Sequence, residues 1–159
     1  MKIGIFYNRD QADLSVAEDL AAQIGAAGHE AVIFSELEEI GGVDRLLALG
    51  GDGTMLRAAK HASALRIPLL GINFGRLGFL TEFEREECSL AVPLVLDENC
   101  ARIERSMLEA ELNGKTFDCL NELALLHPVA PGKENKVVTI SVTIDGSHAG
   151  EFVADGLIV

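Results

Sequence analysis

The sequence is poor in basic residues, and it contains no long apolar run. Its 13 lysines and arginines are outnumbered by 25 aspartates and glutamates, which leaves a net charge of −12. Nucleic acid is therefore excluded as the main partner, because its phosphates would be repelled. No stretch approaches the ~20 apolar residues that a membrane helix needs, and residues 1–7 are too short for a signal peptide. We expect neither a membrane partner nor secretion.

Cysteine is also scarce. The three cysteines, Cys88, Cys100 and Cys119, are odd in number and far apart, and none belongs to a Cys-x-x-Cys or Cys/His pair with zinc spacing. These spacings argue against a disulfide framework and against a zinc site. We expect reduced, partly buried thiols and a cytoplasmic protein.

Hydrophobic residues make up 48% of the 159 residues of the chain, which is enough for one folded domain or two small ones. In the first hundred residues, short apolar runs alternate with helical periodicity. Ser15 and Glu18 form a capping-box pattern, and Pro93 limits the last helix. This alternation predicts an α/β fold with a Rossmann-like parallel sheet and flanking helices. The predicted strands are 2–7, 31–34, 45–49 and 68–72, and the predicted helices are 15–28, 54–65 and 84–91.

The pattern changes near residue 100 to an antiparallel one. Apolar and polar residues alternate over 108–112 and 138–144, and Asn113-Gly114 and Asp145-Gly146 are strong hairpin signals. We predict that 117–126 forms the partner strand of the first hairpin, and that each sheet has one buried and one wetter face. The predicted domains are 1–98, which is α/β, and 99–159, which is β-rich.

The most informative segment is Leu-Gly-Gly-Asp-Gly-Thr at 49–54. It links a buried strand to a helix, and its glycines allow a ligand close to the backbone. Free N–H groups at a helix N-terminus suit phosphate. Asp52 would repel phosphate unless it holds a metal ion or accepts a proton from a reacting hydroxyl. The segment is neither a P-loop nor a dinucleotide fingerprint.

Aromatic and basic residues near this segment are open to two interpretations each. Phe74 and Phe79 lie in a second glycine-rich connection, 71–80, and either stack on a flat ligand or fill the core. Arg57 follows the loop by one helical turn and either neutralises phosphate or belongs to a solvated helix face. Lys136 is a weaker basic candidate.

Two polar pairs lie further along the chain. Asn121-Glu122, predicted on a strand, has the groups to hydrogen-bond ribose hydroxyls or an adenine edge, but it also suits an exposed sheet face. Asp155-Gly156 on its own is typical of a turn.

Taken together, these segments resemble the bacterial NAD kinases. Gly50-Gly51-Asp52-Gly53-Thr54 comes first, and the others follow in the family's order and at similar spacing. The glycine loop by itself is shared with lipid kinases, so the specificity comes from the combination. The further segments are Gly71-Ile72-Asn73 with Gly75, Leu77-Gly78-Phe79-Leu80, Asn121-Glu122 and Asp155-Gly156-Leu157-Ile158-Val159.

The resemblance implies phosphorylation of the adenosine ribose 2′-hydroxyl of NAD, with ATP or polyphosphate as donor and Mg or Mn accompanying ATP. It makes Asp52 the catalytic proton acceptor. It implies NAD contacts from Asp52, Gly53, Phe74, Asn121, Glu122 and Asp155. The phosphate loop would comprise Gly50, Gly51, Gly53, Thr54 and Arg57.

The chain also departs from the family. Family members continue after the Asp-Gly strand with a large β-rich remainder that this chain lacks, so we expect a truncated second domain and only part of the site. Full-length members are expected to be homo-oligomers. Two alternatives remain: a diacylglycerol-type lipid kinase sharing the loop, and a catalytically silent nucleotide-binding fragment. Met55-Leu56-Arg57 after the loop disfavours the lipid kinase, where Asn-Glu is common.

Overall fold

A computed structural model describes residues 1–76, 78–127 and 137–159. The chain divides into two compact units, Met1–Ser106 and Met107–Val159.

The first unit is built on a five-stranded parallel sheet. Its order is β2-β1-β3-β4-β5, and all neighbours pair in parallel. Every residue of β3 is buried, as expected for a central strand covered on both faces. The strands are β1 (Lys2–Tyr7), β2 (Glu30–Phe34), β3 (Arg45–Gly50), β4 (Leu69–Asn73) and β5 (Phe83–Glu84).

Helices cover both faces of this sheet. The three helices are α1 (Leu14–Ala26), α2 (Asp52–Leu65) and α3 (Cys88–Leu96). The buried side chains of α1 and α3 join one apolar cluster, and those of α2 join a second. Two clusters separated by the sheet make three layers, which confirms the predicted α/β class. In the described part of the chain, no helix has the length and apolar character to span a membrane.

Two predicted helix boundaries are wrong. The first helix begins at Leu14 with Asp13 at the N-cap, so Ser15 lies inside the first turn and forms no capping box. The third helix runs through Pro93 to Leu96. Proline removes one intrahelical hydrogen bond there. Burial of this helix's apolar side chains against the core compensates for that loss; they are Ala91, Val92 and Val95.

The second unit consists of three two-stranded antiparallel sheets. Both predicted hairpins are present, and φ is positive at Asn113, Gly114, Asp145 and Gly146, which is the requirement of a type I′ turn. The sheets pair β6 with β7, β9 with β10 and β8 with β11. These strands are β6 (Leu108–Leu112), β7 (Lys115–Cys119), β8 (Ala124–Leu126), β9 (Val138–Ile144), β10 (Ser147–Ala154) and β11 (Gly156–Ile158).

Two predictions fail in this unit. The segment 117–126 is not one strand, because pairing with β6 ends at Cys119 and residues 124–126 pair with β11 instead. The alternating pattern of β9 is present, but its inward residues are only half-buried, and no described side chain of 107–159 is fully buried. A two-stranded sheet is too small to bury one of its faces alone.

Candidate nucleotide site

The glycine loop lies at the point in the sheet where the order of the strands reverses. From β1 the chain passes through α1 to β2 on one side, and then returns to β3 on the other side of β1. The connections after β1 and β3 therefore diverge and leave a crevice at the carboxyl ends of these two strands. Ligands of open α/β sheets bind in such crevices.

Asp52 is the first residue of α2 and is half-buried. The backbone N–H of Phe79 donates to both of its carboxylate oxygens at 3.0 Å, and the N–H of Leu80 donates to Oδ1 at 3.0 Å. The connection between β4 and β5 therefore fixes the orientation of the carboxylate. A carboxylate offers about four lone-pair positions, so it can still accept a further hydrogen bond from a ligand hydroxyl.

The three glycines of the loop occupy different environments. A Cβ at Gly50 would lie 2.6 Å from Cβ of Thr54, so only glycine fits there. Gly51 is the N-cap of α2, and its N–H is already used, because it donates to Oε1 of Gln11 at 2.9 Å. A Cβ at Gly53 would meet nothing within 4 Å.

These contacts determine which donors the loop can offer a ligand. Thr54 is buried, and its N–H donates to the carbonyl of Gly51. The N–H groups of Asp52 and Gly53 have no hydrogen-bond acceptor among the residues that the structure describes. Of these two residues, Gly53 is exposed. The loop therefore presents two adjacent donors in the first turn of a helix, beside one carboxylate.

The two phenylalanines of the next connection differ in exposure. Phe74 packs against the core, and the guanidinium carbon of Arg85 lies 5.4 Å from the centre of its ring. Phe79 is 79% exposed, and its own backbone N–H is one of the donors to Asp52. Of these two rings, Phe79 is the more accessible for stacking on a ligand.

Arg57 is exposed on α2 and borders a cavity of about 330 Å³ at the carboxyl ends of β1 and β2. Arg9 also lines this cavity, but it is paired with Glu36 at 3.7 Å and with the hydroxyl of Ser35. No ion pair of Arg57 occurs within the ranges that the structure describes. Its charge shares this cavity with the carboxylates of Asp10, Glu36 and Glu38.

The remaining predicted NAD contacts belong to the second unit. Asn121 and Glu122 are exposed and lie in the connection that precedes β8, not on a strand as predicted. Asp155 is exposed and precedes β11. The strands are antiparallel, so Asp155 lies opposite His127, at the far end of the ladder from Glu122. Glu122 and His127 are five residues apart at ~3.3 Å each, so the two ends of the ladder are on the order of 15 Å apart.

All three cysteines are free and partly buried. No cluster of three or more His, Cys, Asp or Glu side chains suited to a metal ion occurs in the described parts of the chain. Lys136 and Leu77 lie outside the described residues.

Two residues of the site have no sequence motif that identifies them. Asn8 and Gln11 follow β1, and both hydrogen-bond to the side chain of Thr54 in the glycine loop. Their place directly after β1 is the sequence signal that could have found them, because the carboxyl ends of neighbouring parallel strands meet at one edge of a sheet.

Comparison with known proteins agrees with this geometry. The family model of the ATP-NAD kinase N-terminal domain matches residues 32–99, which include the glycine loop. The NAD kinase of Pyrococcus abyssi is 37% identical over the whole chain, which corresponds to 62% of that protein. The NAD kinase of Thermococcus kodakarensis is 40% identical over 92% of the chain, which corresponds to 51% of that protein. The chain thus spans about half to three fifths of the length of these relatives.

Solved structures extend the comparison. The NAD kinase of Archaeoglobus fulgidus in complex with ATP matches 99% of the chain with a TM-score of 0.77 and 25% identity, over 59% of its own length. Yeast NADH kinase complexed with NADH matches 99% of the chain with a TM-score of 0.71 and 19% identity, over 56% of its own length, and shows the fold alone.

A diacylglycerol kinase from Bacillus anthracis has the same fold at lower similarity, with a TM-score of 0.54 and 20% identity over 99% of the chain and 61% of its own. The NAD kinase of Archaeoglobus fulgidus is more similar to the chain in both sequence and structure, which disfavours the lipid-kinase alternative. The chain is similar to NAD kinases along its whole length and spans part of the length of these proteins.

Proposed function

We propose that this chain supplies the phosphate-binding and proton-accepting part of an NAD kinase site. The reaction phosphorylates the 2′-hydroxyl of the adenosine ribose of NAD, with ATP or polyphosphate as donor, and yields NADP. One observation carries the proposal: Asp52 stands oriented in the first turn of α2, beside N–H groups of Asp52 and Gly53 that have no acceptor among the described residues.

Asp52 is the catalytic residue of this proposal. The 2′-oxygen attacks the terminal phosphorus of the donor, the bond from that phosphorus to the leaving phosphate oxygen breaks, and the hydroxyl proton passes to the carboxylate. A positioned general base contributes roughly 10²- to 10⁴-fold. The hydrogen bonds from Phe79 and Leu80 support this role, because they hold the carboxylate in place before the substrate arrives.

NAD is the proposed substrate. Its proposed contacts in the first unit are Gly53 and Phe74, and three further contacts are proposed in the second unit. Asn121 and Glu122 would hold the adenosine portion, and Asp155 the nicotinamide end. Their placement at opposite ends of the β8–β11 ladder suits a dinucleotide bound in an extended form. This assignment makes 99–159 the NAD-binding domain and 1–98 the domain that carries the loop.

ATP is the proposed donor, with polyphosphate as its substitute. The loop, Gly50 to Thr54, would face the donor's phosphates, and Arg57, further along α2, would add a positive charge. A divalent ion such as Mg²⁺ neutralises charge on the transferred phosphoryl group. We propose that this ion enters the site with the donor. A cytoplasmic location and a homo-oligomeric full-length form complete the proposal.

Binding and turnover together test the proposal against its alternatives. Calorimetry with NAD and with ATP, followed by an NADP-specific assay with ATP and Mg²⁺, separates an enzyme from a silent binding module. Binding of both nucleotides with NADP formation supports the proposal. Binding without turnover favours the silent module, and phosphorylation of diacylglycerol favours the lipid kinase.

A further inference from the structure

The side chain of Gln11 connects the segment after β1 to the glycine loop. Its Oε1 accepts three hydrogen bonds: from the N–H of Gly51 at 2.9 Å, from the hydroxyl of Thr54 at 3.1 Å and from Nδ2 of Asn8 at 3.2 Å. Three donors thus converge on one atom, although neither Gln11 nor Asn8 belongs to a motif.

The protons of this cluster have one consistent arrangement. A backbone N–H can only donate, so the atom facing Gly51 must be the amide oxygen of Gln11. The Thr54 hydroxyl donates to that oxygen and accepts from Nδ2 of Asn8 at 2.9 Å. The second Nδ2 proton of Asn8 then reaches Oε1 of Gln11. Each donor in this cluster therefore faces an acceptor.

The cluster controls the start of α2. Gly51 is the N-cap and is buried, so its N–H would lack a partner without Gln11. Fixing Gly51 also fixes the residues that follow it, Asp52 with its carboxylate and Gly53 with its exposed N–H. Gln11 therefore acts on the site through the loop backbone and does not need to touch the ligand with its oxygen.

We propose that Gln11 is a positioning residue, which holds the glycine loop so that Asp52 and Gly53 point their functional groups into the nucleotide site. Its effect on nucleotide binding rests on the proposed function, but its effect on the loop does not. The two effects can therefore be measured separately.

Amide hydrogen exchange by NMR on the ligand-free 159-residue chain tests the first effect. Gln11→Ala removes the acceptor of the Gly51 N–H. The loss of one hydrogen bond, about 1–1.4 kcal/mol, corresponds to about fivefold to tenfold faster exchange at Gly51. Gln11→Glu keeps an acceptor oxygen at the same place and is expected to restore slow exchange. Gln23→Ala is the matched control, because Gln23 is an exposed glutamine of α1 with a single 3.5 Å contact to Ser89.

The amide of Leu47 in the buried strand β3 reports whether the fold is intact. If alanine at position 11 slows or abolishes folding, Gln11→Met keeps the side-chain volume while removing the amide, and the same comparison is made with it. Unchanged exchange at Gly51 in the folded variant would overturn the proposal.

Calorimetry with ATP tests the second effect. The expected result is about fivefold to tenfold weaker ATP binding by Gln11→Ala, with unchanged binding by Gln23→Ala. Faster exchange at Gly51 with unchanged ATP affinity would overturn the positioning role. If the parent chain binds no ATP, the proposed function fails, and the exchange at Gly51 alone decides whether Gln11 holds the loop.

Discussion

The backbone N–H of Phe79 donates to both carboxylate oxygens of Asp52 at 3.0 Å. This contact joins two glycine-rich connections that lie 27 residues apart in the chain. It resolves the conflict posed by an acid in a phosphate-binding loop. The carboxylate turns toward the β4–β5 connection and has its own backbone donors, while the N–H groups of the α2 N-terminus remain for an anion.

Gly53→Ala separates the structural role of this glycine from its role in binding. Because an added Cβ meets nothing within 4 Å, we expect the variant to fold and to gain up to ~1 kcal/mol from the better helix propensity of alanine. The same Cβ would occupy space at the exposed N–H, so we expect at least ~10-fold weaker ATP binding by calorimetry, a loss of about 1.4 kcal/mol.

Gly25→Ala is the matched control for this variant. Gly25 is exposed in α1, and a Cβ there also meets nothing within 4 Å. A similar gain in the free energy of unfolding is expected, with unchanged ATP affinity. Equal ATP affinity in the Gly53 variant and the control would contradict the placement of ligand at Gly53.

Arg45 is a buried cation of β3 whose charge has a defined structural role. Its Nη1 donates to the carbonyl of Val95 at 2.7 Å and to that of Asp97 at 2.8 Å, at the C-terminal end of α3. Replacement by methionine leaves both acceptors unpaired. We expect the free energy of unfolding in urea to fall by about 2–4 kcal/mol.

The exposed Arg102 provides the comparison, because its replacement by methionine should change stability by no more than ~0.5 kcal/mol. An equally small change for Arg45→Met would show that the buried hydrogen bonds contribute little.

Cys88 is expected to react slowly with thiol reagents at neutral pH. Burial raises the pKa of its thiol above the ordinary value of 9.0, and the thiol also donates to the carbonyl of Arg85 at 2.9 Å. The pH dependence of its alkylation, followed by mass spectrometry of the Cys88 peptide, should therefore have its midpoint above 9.0.

The same shift has a consequence for stability. Since the folded state holds the proton more tightly than the unfolded state, this contribution is fully present below pH 9.0 and is lost as the pH rises through the folded pKa. Cys88→Ser removes the dependence. An alkylation midpoint at or below 9.0 would be inconsistent with the burial of this thiol.

Sequence periodicity was sufficient to predict the first unit because its strands are covered by helices on both faces. The center of β3 is fully apolar, and Leu20 and Ile24 form an apolar face on α1. Both patterns predict burial against a core. The N-cap of α1 was predicted two residues too late, because Asp13 and Ser15 are both good cap residues and the register is decided by packing of the helix.

The second unit was less predictable. Its hairpin turns were identified correctly, because Asn-Gly and Asp-Gly have strong local backbone preferences. The pairing of Ala124–Leu126 with Gly156–Ile158 joins segments some 30 residues apart, and no local preference encodes such a partner.

The site was only partly predictable for the same reason. Asp52 and Gly53 are candidates that their motif predicts, whereas Gln11 reaches the loop only through a contact across 40 residues of sequence. A glutamine in a loop is common, and only the folded sheet brings it to Gly51.

The central claim is that Asp52 accepts the proton of the ribose 2′-hydroxyl, and NADP formation tests it most directly. The rate should be measured with NAD, ATP and Mg²⁺ for the parent chain, for Asp52→Asn and for Asp19→Asn, a matched change at an exposed position of α1. The account predicts equal rates for the parent and Asp19→Asn and a rate at least ~10²-fold lower for Asp52→Asn. NADP formation by Asp52→Asn at the parental rate would contradict it.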